Sequence, residues 1–399
     1  MESLRELYRI GRGPSSSHTL GPDRAARMFA LRYPEADSFH VTLYGSLAKT
    51  GRGHLTDRAV IDALQPIPVE LVFDSQTTGL PHPNTMDLVA YHKGVEAGFA
   101  RILSLGGGKI QVVGEPPVSP ADVYSMNTFA DIKACCQKEG LRLWQYAVKE
   151  EGPDLLLFLH KVWQAMQKSV FDGLQAEGTL PGGLEVQRKA KLLFNQRHID
   201  ESPNTRTSRL VSAYAFAVAE QSAGGGVVVT APTCGSSGVL PAVLMYIQNK
   251  NEFSDDEIVR GLAAAGLIGN LIKTNASISG AECGCQAEIG SATSMAAAAL
   301  AELFGMDLDQ IEYAAEMAME HSLGLTCDPI NGLVQIPCIE RNAVAAMRAI
   351  SAFTLANFLT HTRKISFDMV VKTMYETGRD LFYQYRETAE GGLAKYYRE

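Results

Sequence analysis

The period of the hydrophobic pattern changes once along this 399-residue chain, and the change limits the folds open to it. Residues 39–44 and 69–73 alternate apolar and polar side chains, as strands with one buried face do. From Asp154 onward the alternation nearly vanishes, and apolar residues recur at helical spacing. The pattern predicts a two-domain α+β protein: an N-terminal α+β domain with a mostly antiparallel sheet, then an all-α domain.

The boundary between the two domains is expected near residue 118. The stretch GEPPVSP at residues 114–120 is rich in proline, which removes backbone donors and ends regular structure. We therefore predict the α+β domain at residues 1–118, a connecting helical segment at residues 119–150 and the all-α domain at residues 151–399. A chain of this length also exceeds what a single hydrophobic core usually serves.

The same patterns predict the individual elements. Further strands are expected at residues 86–91, 99–105 and 109–113, the last two joined by a tight turn at Gly106–Gly108. Helices are expected at residues 22–33, 57–64, 155–175, 206–223, 254–273, 307–324, 344–358 and 366–377. The capping-box pair Ser254 and Glu257 marks one helix start. The helix at 344–358 shows a broad apolar face of Val344, Met347, Ile350, Leu355 and Phe358.

Composition excludes several classes of protein. The formal net charge is −8 and no basic patch stands out, which argues against a nucleic-acid or anionic-membrane partner. The N-terminus MESLRELYRIGRG lacks the apolar core of a signal peptide. Seven cysteines in such a chain favour a reducing cytoplasm, in which they stay free thiols.

Four of these cysteines concentrate between Gly280 and Asn342. Cys283, Cys285, Cys327 and Cys338 lie among glycine, proline, acidic and amide residues rather than in plain apolar runs. Their spacing matches neither a paired CxxC zinc pattern nor a ferredoxin-like run. From the residues alone, two readings stay open: a metal or cluster site, and thiols buried as small hydrophobic side chains.

Long motifs in this region carry a family resemblance. The segments SGAECGCQAEIGSATSMAAA, MEHSLGLTCDP and QIPCIERNA resemble the catalytic domain of the bacterial iron–sulfur-dependent L-serine dehydratases, or L-serine ammonia-lyases. GPSSSHT and GHLTD resemble the other domain of that family. The resemblance implies conversion of L-serine to pyruvate and ammonia, without pyridoxal phosphate. It also implies a homodimer, and a [4Fe–4S] cluster held by Cys285, Cys327 and Cys338, with one iron not ligated by cysteine.

Two N-terminal motifs supply candidate substrate and proton-transfer groups. The loop GPSSSHTLGP concentrates hydroxyls before a helix; it can serve as a cap alone, or bind a small carboxylate. By resemblance we assign Ser15, Ser17 and His18 to substrate binding. Abstraction of an α-proton needs a positioned base, and GHLTD offers His54 with Asp57 three residues on to fix its tautomer. His54 is the candidate base, and His18 is the alternative.

Further candidates lie in the C-terminal half. The glycine-rich loop TAPTCGSSGVLP lacks a phosphate-loop signature, which argues against a nucleotide. Thr233 and Ser236 are candidates for binding the substrate carboxylate; packing near the cluster and a close-packed turn without function are the alternatives. Arg341 can pair with a carboxylate, either on the substrate or behind the site. Cys234 and Cys283 are not counted as ligands. Lys273 invites a Schiff-base interpretation, but nothing around it resembles a pyridoxal phosphate site.

Two other functions remain open at this point. A related cluster lyase can act on threonine or cysteine, because one methyl group discriminates weakly. A non-catalytic regulator can bind serine through the sheet domain, although a sensor has no need of an open iron. Some family members carry a C-terminal cysteine that caps the fourth iron, whereas this chain ends GGLAKYYRE. The expected resting state is therefore an iron that is open or water-bound.

Overall fold

The computed structural model describes residues 1–116, 120–196, 200–359 and 363–397. A five-stranded sheet forms the N-terminal part, and helices form most of the rest. The predicted α+β class is confirmed. The boundary predicted near residue 118 falls on residues 117–119, which lie outside the described residues, and the domain limits stay a prediction.

The sheet is mixed and mostly antiparallel, as the sequence predicts. Its strands lie in the order Val69–Asp74, Ser38–Tyr44, Thr85–His92, Val95–Gly106 and Lys109–Val112. The first two run parallel and every other neighbouring pair is antiparallel. The parallel pair is possible because helix Thr56–Leu64 lies between those two strands in the sequence and returns the chain to the same end of the sheet.

One face of the sheet is covered by helices. Gly21–Arg32 and Thr56–Leu64 pack there, and Gly45–Thr50 is a shorter helix that follows the strand Ser38–Tyr44. The alternating residues Phe39, Val41 and Leu43 are buried in this core, which confirms the strand pattern. Proline near the start of Gly21–Arg32 fits the first turn because its missing N–H has no helical partner there.

Helices of the C-terminal part agree closely with the expected segments. Their bounds are Phe129–Glu139, Leu143–Glu151, Asp154–Gln175, Ala190–Asn195, Pro203–Ala223, Val239–Asn251, Asp255–Asn275, Gly280–Cys283, Ser291–Leu303, Leu308–Glu320, Cys338–Leu359, Phe367–Asp380 and Gly392–Tyr396. Single helical turns lie at Leu4–Glu6, Ser16–Leu20, Gln286–Gly290, Ile330–Gly332 and Tyr383–Tyr385. The capping box of Ser254 and Glu257 is present as predicted.

An alanine-rich helix lies at the centre of this part. Ser291–Leu303 is buried along nearly its whole length. It packs against Asp255–Asn275, Leu308–Glu320 and Cys338–Leu359. Small side chains let these helices approach closely, because the distance between helix axes depends on the side chains at the contact.

The predicted apolar face of the long helix is wrong in part. Val344, Leu355 and Phe358 are exposed on Cys338–Leu359, with 61, 46 and 76% of their surface accessible. Its buried face is made chiefly of alanines, among them Ala345, Ala349 and Ala356. The helix is long and apolar enough to meet a length-and-composition criterion for a membrane span, and only 39% of that window is buried.

The N-terminal residues belong to the helical core rather than to the sheet. Met1, Leu4, Leu7 and Tyr8 are buried among the helices, and the Tyr8 hydroxyl donates to the Leu262 carbonyl over 2.9 Å. A Cβ built at Gly266 would lie 2.8 Å from Leu4, so this glycine permits the close approach. The N-terminal segment therefore packs directly against the helix Asp255–Asn275.

A short second sheet ties the two parts together. Ile10–Arg12 pairs antiparallel with Val227–Val229, in the register Ile10 to Val229. The sequence pattern predicts no strand at Ile10–Arg12. This pairing brings the serine-rich loop, which follows at once, against the helical part.

Candidate active site

One cavity lies where the serine-rich loop of the N-terminal part meets the helical part. Segments far apart in sequence form its wall. The lining residues are Pro14–Ser17, Gly106, Gly107, Thr233, Gly235, Ile278–Gly280, Cys285, Glu288, Ile289, Cys327, Pro329, Val334, Cys338 and Glu387. The glycine hairpin reaches the cavity because Gly106 and Gly107 adopt positive φ angles, 99° and 55°, that favour glycine.

Three cysteines face this cavity. Cys285 follows Gly284, whose φ of 72° turns the chain after the helix Gly280–Cys283. Cys327 lies in a loop, and Cys338 begins the helix Cys338–Leu359. All three are free thiols and nearly fully buried. The sequence could not measure their separation, but the fold brings all three to one wall.

Two of the three thiols have raised pKa values. The hydrogen bond with Cys285 and burial raise the pKa of Cys327 well above its ordinary value. Burial, followed by the neighbouring Cys285, does the same to the pKa of Cys338. A bound cation favours thiolates and reverses such shifts, since metal ligands must be deprotonated. The Sγ atoms of Cys285 and Cys327 and a carboxylate oxygen of Glu288 lie within 4.8 Å of one another, which fits a metal-binding donor set.

The other cysteines lie off the cavity wall. Burial raises the pKa of Cys234 to about 12, and its backbone N–H donates to Ser16 Oγ over 2.9 Å. Cys283 packs against Gly378, where an added Cβ would lie 2.7 Å from its Sγ. Cys135 and Cys136 lie on the helix Phe129–Glu139. None of the four lines the cavity.

The serine-rich loop presents hydroxyls to the cavity. Ser15 caps the turn Ser16–Leu20, since its Oγ accepts the His18 backbone N–H over 3.1 Å. Ser15, Ser16 and Ser17 all line the cavity. The loop therefore acts as a helix cap and also lines the cavity, so both roles considered for it from the sequence are compatible with the structure. Ser16, which the sequence analysis did not single out, holds the glycine-rich loop at Cys234.

His18 and His54 lie together behind the serine loop. Their ring centroids are 4.6 Å apart, and neither ring lines the cavity. His18 contacts the wall through Ser17, whose Oγ is 2.9 Å from His18 Nδ1, while His18 Nε2 lies 2.9 Å from Ser46 Oγ. Burial, then the charge of His54, lowers the pKa of His18, and burial lowers the pKa of His54 to about 4. Both rings are therefore neutral near pH 7.

The tautomer of His54 is set by a backbone carbonyl rather than by the expected Asp57. His54 Nδ1 lies 3.2 Å from the Thr50 oxygen, and a carbonyl only accepts. Nδ1 therefore carries the hydrogen, and Nε2 keeps its lone pair. Asp57 instead accepts the Arg58 backbone N–H on the exposed side, so its proposed link to His54 is wrong.

Thr233 and Ser236 differ in their position. Thr233 lines the cavity, and its hydroxyl donates to Glu288 Oε1 over 2.6 Å. Ser236 is fully buried behind it, with its Oγ 3.1 Å from Thr233 Oγ1, and does not line the cavity. The structure brings Thr233 to the site and gives Ser236 a supporting contact.

Arg341 supports the Cys327 loop from behind the cavity. It donates to the Thr326 carbonyl over 2.7 Å and to Asp328 Oδ1 over 2.9 Å. Burial opposes its charge, but the thiols of Cys285 and Cys338 and the carboxylate of Asp328 raise its pKa overall. The geometry favours the supporting role over direct contact with substrate.

An amide joins the glycine-rich loop to the third cysteine. Asn342 Nδ2 donates to the carbonyls of Gly235 and Cys338 over 2.8 and 2.9 Å. Its Oδ1 accepts the Gly238 N–H over 2.9 Å. Lys273, by contrast, pairs with Glu2 over 2.7 Å and does not line the cavity.

Two glutamates in the cavity wall were missed by the sequence analysis. Burial raises the pKa of Glu288, which the Thr233 hydrogen bond opposes. Burial, then the charge of Glu288, raises the pKa of Glu387 to about 8. Glu288 had a signal, because it follows Cys285 within the same motif. Glu387 had none, since it lies in a polar C-terminal stretch far from any candidate.

Three buried free thiols lie beside hydroxyls and carboxylates in one cavity, a donor set that could hold a metal cofactor in an enzyme site. The family model described as "Serine dehydratase alpha chain" matches residues 138–394, and that described as "Serine dehydratase beta chain" matches residues 3–70. The chain therefore belongs to the serine dehydratase family.

Full-length relatives agree with this assignment. The chain is 42% identical to the L-serine dehydratase of Streptomyces coelicolor, over 98% of each chain. It is 40% identical to the L-serine dehydratase of Haemophilus influenzae and to L-serine dehydratase 1 of Escherichia coli, in both cases over 99% of each chain.

Proposed function

We propose that this chain is an L-serine dehydratase, a carbon–nitrogen lyase that forms pyruvate and ammonia from L-serine. One observation carries the proposal: three buried free thiols share a cavity with hydroxyls and carboxylates. The full-length similarity to proteins of that name supports the substrate. Elimination of water gives aminoacrylate, which tautomerises and hydrolyses to the two products.

Cys285, Cys327 and Cys338 are proposed to hold a [4Fe–4S] cluster with one iron free of cysteine. The donor chemistry fits, because thiolates are the usual ligands of such clusters. When bound, the cluster supplies a Lewis acid for the leaving hydroxyl. Pyridoxal phosphate has no place in the proposal.

The serine loop is proposed to bind the substrate. The hydroxyls of Ser15 and Ser17 face the cavity and can donate to the substrate carboxylate. Thr233 holds Glu288 in the wall, and Ser236 steadies Thr233. Because the wall is formed by both parts of the chain, a substrate bound in the cavity would contact both.

His54 is proposed as the base that removes the α-proton. Its Nε2 keeps a lone pair because Nδ1 donates to the Thr50 carbonyl. The ring lies against His18, so the pair forms a buried proton-accepting unit beside the serine loop. His18 stays the alternative, since it contacts the cavity wall through Ser17.

The proposal is tested by assaying pyruvate release under anaerobic conditions from L-serine, L-threonine and L-cysteine. We expect the highest kcat/KM with L-serine, and a loss of about 10²–10⁴-fold in kcat for His54→Asn at unchanged iron content. An exposed histidine gives the matched control, His321→Asn, which should retain activity. If L-threonine or L-cysteine gave the higher kcat/KM, the chain would instead be a related cluster lyase. If L-serine bound without forming pyruvate, the non-catalytic serine-binding regulator would be favoured.

The oligomeric state, the compartment and the range of partners are also proposals. We propose a homodimer in the cytoplasm, without a nucleic-acid or membrane partner. The exposed side chains Leu355 and Phe358 support association, and the free thiols support a reducing compartment. Light scattering of the holoenzyme tests the dimer, and a monomer at micromolar concentration would contradict it.

A further inference from the structure

The carboxyl side chains on the cavity wall have no basic side chain beside them in the described part of the chain. Glu288 and Glu387 line the cavity beside the three thiols. Within the described part of the chain, no lysine, arginine or histidine lines it. A buried carboxylate needs a positively charged partner. Because the described wall supplies none, the cavity suits a ligand that carries a positive charge.

An amino acid brings such a cation. Its α-ammonium carries three N–H donors, and carboxylates accept them with charge-assisted hydrogen bonds. The neutral hydroxyls of Ser15 and Ser17 suit the substrate carboxylate but cannot neutralise an ammonium group. Glu288 and Glu387 are the carboxylates of the wall that can accept hydrogen bonds from the ammonium group.

Glu387 is held firmly at this position. Its backbone N–H donates to the Cys327 carbonyl over 2.9 Å, and the Cys327 N–H donates to Tyr385 over 2.8 Å. Its φ of 59° is uncommon for a residue with a Cβ, which indicates that the surrounding contacts fix the turn. Its carboxylate accepts the Ala281 backbone N–H. Further along, the Leu393 N–H donates to Asp328 over 2.8 Å.

Glu288 is oriented by a residue of the glycine-rich loop. The Thr233 hydroxyl donates to Oε1, and a carboxylate can accept more than one such bond. An ammonium between the two glutamates would satisfy acceptors on both.

We propose that Glu387, together with Glu288, accepts the α-ammonium group of the substrate and so selects amino acids over carboxylic acids of the same shape. The inference rests on the proposed function, because an amino-acid substrate is what introduces the ammonium. It makes Glu387 a substrate-binding residue supplied by the C-terminal segment, and that segment a determinant of specificity.

The test measures binding of two small probes to anaerobic holoenzyme by calorimetry. L-alanine has the ammonium and carboxylate but no leaving hydroxyl, and propionate differs from it only in lacking the ammonium. Wild type should bind L-alanine about tenfold or more tightly than propionate. Glu387→Gln should lose most of that preference, through weaker L-alanine binding with propionate unchanged.

Controls separate substrate binding from folding and from cofactor retention. Glu390→Gln alters an exposed glutamate on the same segment and should keep the wild-type preference. Iron and sulfide content of Glu387→Gln should equal that of wild type; a loss of iron would assign Glu387 to the cofactor and overturn the inference. Glu288→Gln should weaken L-alanine binding in the same sense.

The results separate failure of the ammonium-binding inference from failure of the proposed L-serine dehydratase activity. If wild type forms pyruvate but Glu387→Gln keeps its preference for L-alanine, the inference alone fails. Equal weakening of both probes would also overturn it, since a structural defect has that signature. If wild type neither forms pyruvate nor binds L-alanine, the proposed function fails.

Discussion

Ser17 Oγ lies 2.9 Å from His18 Nδ1, and Ser17 faces the cavity while His18 lies behind it. The hydroxyl therefore connects the buried histidine pair to the space where substrate would bind.

Removing this hydroxyl should weaken substrate binding. For Ser17→Ala we expect KM for L-serine to rise about tenfold, since a hydrogen bond to a charged group is lost. Ser17→Thr keeps a hydroxyl and should stay close to wild type. Steady-state kinetics at constant iron content checks both, and an unchanged KM in Ser17→Ala would remove Ser17 from the binding site.

The depressed pKa of His54 predicts a pH dependence of stability. Burial lowers this pKa to about 4, so between about pH 6.5 and 4 the unfolded state binds a proton that the folded state does not. The contribution of His54 is therefore constant above pH 6.5 and falls by about 1.4 kcal/mol for each pH unit below it.

This contribution is isolated by comparison with His54→Asn. Titrating groups that do not interact with His54 cancel in the difference, including Glu387, whose raised pKa acts in the opposite direction. His18 does not cancel, because the charge of His54 lowers its pKa, so the difference reports on the histidine pair. We expect the stability advantage of wild type over His54→Asn, followed by thermal unfolding, to shrink from pH 7.5 to pH 5.5. A difference independent of pH would show that His54 titrates normally.

Gly280 is predicted to be intolerant of any side chain. A Cβ there would lie 2.7 Å from Glu288 Oε2 and 3.2 Å from Cys327 Sγ. Gly280→Ala should cost about 1–3 kcal/mol in overpacking and reduce iron and sulfide per chain. The exposed neighbour gives the control Ala281→Ser, which should retain iron. Full iron content in Gly280→Ala would contradict this prediction, because it would show that Glu288 and Cys327 can move to make room for the added Cβ.

The pairing of Arg341 with Asp328 predicts a structural effect. The carboxylate of Asp328 is 4% exposed, so Arg341→Ala leaves a buried charge without its partner. Breaking a buried ion pair costs about 3–5 kcal/mol. Thermal unfolding of apo-protein should show the loss without interference from bound iron, with Arg341→Lys intermediate. An unchanged midpoint in Arg341→Ala would argue for a direct role at the substrate instead.

Local patterns were sufficient to predict most of the fold. Period-two alternation located the strands at Ser38–Tyr44 and Val69–Asp74, because one face of each is buried. The strand Ile10–Arg12 has three residues, too few for a period, and exists because Val227–Val229 pairs with it. On Cys338–Leu359 the most hydrophobic residues proved exposed, since close packing of neighbouring helices selected alanine.

The site was predictable only where a motif marked it. Ser15, Ser17, Thr233 and the three cysteines line one cavity, although only long-range folding could bring them together. The histidines and Ser236 lie one layer further out, a distinction of a few ångströms that sequence does not encode locally. Glu387 reaches the cavity wall because its backbone N–H pairs with the Cys327 carbonyl. No local sequence pattern predicts this long-range pairing.

The most direct test of the central claim is iron and sulfide content measured together with pyruvate formation, on anaerobically purified wild type and Cys285→Ala, Cys327→Ala and Cys338→Ala. We predict about four irons per wild-type chain and loss of activity in all three variants, whereas Cys283→Ala retains both. Wild type free of iron, or any of the three variants with full iron and activity, would contradict the account.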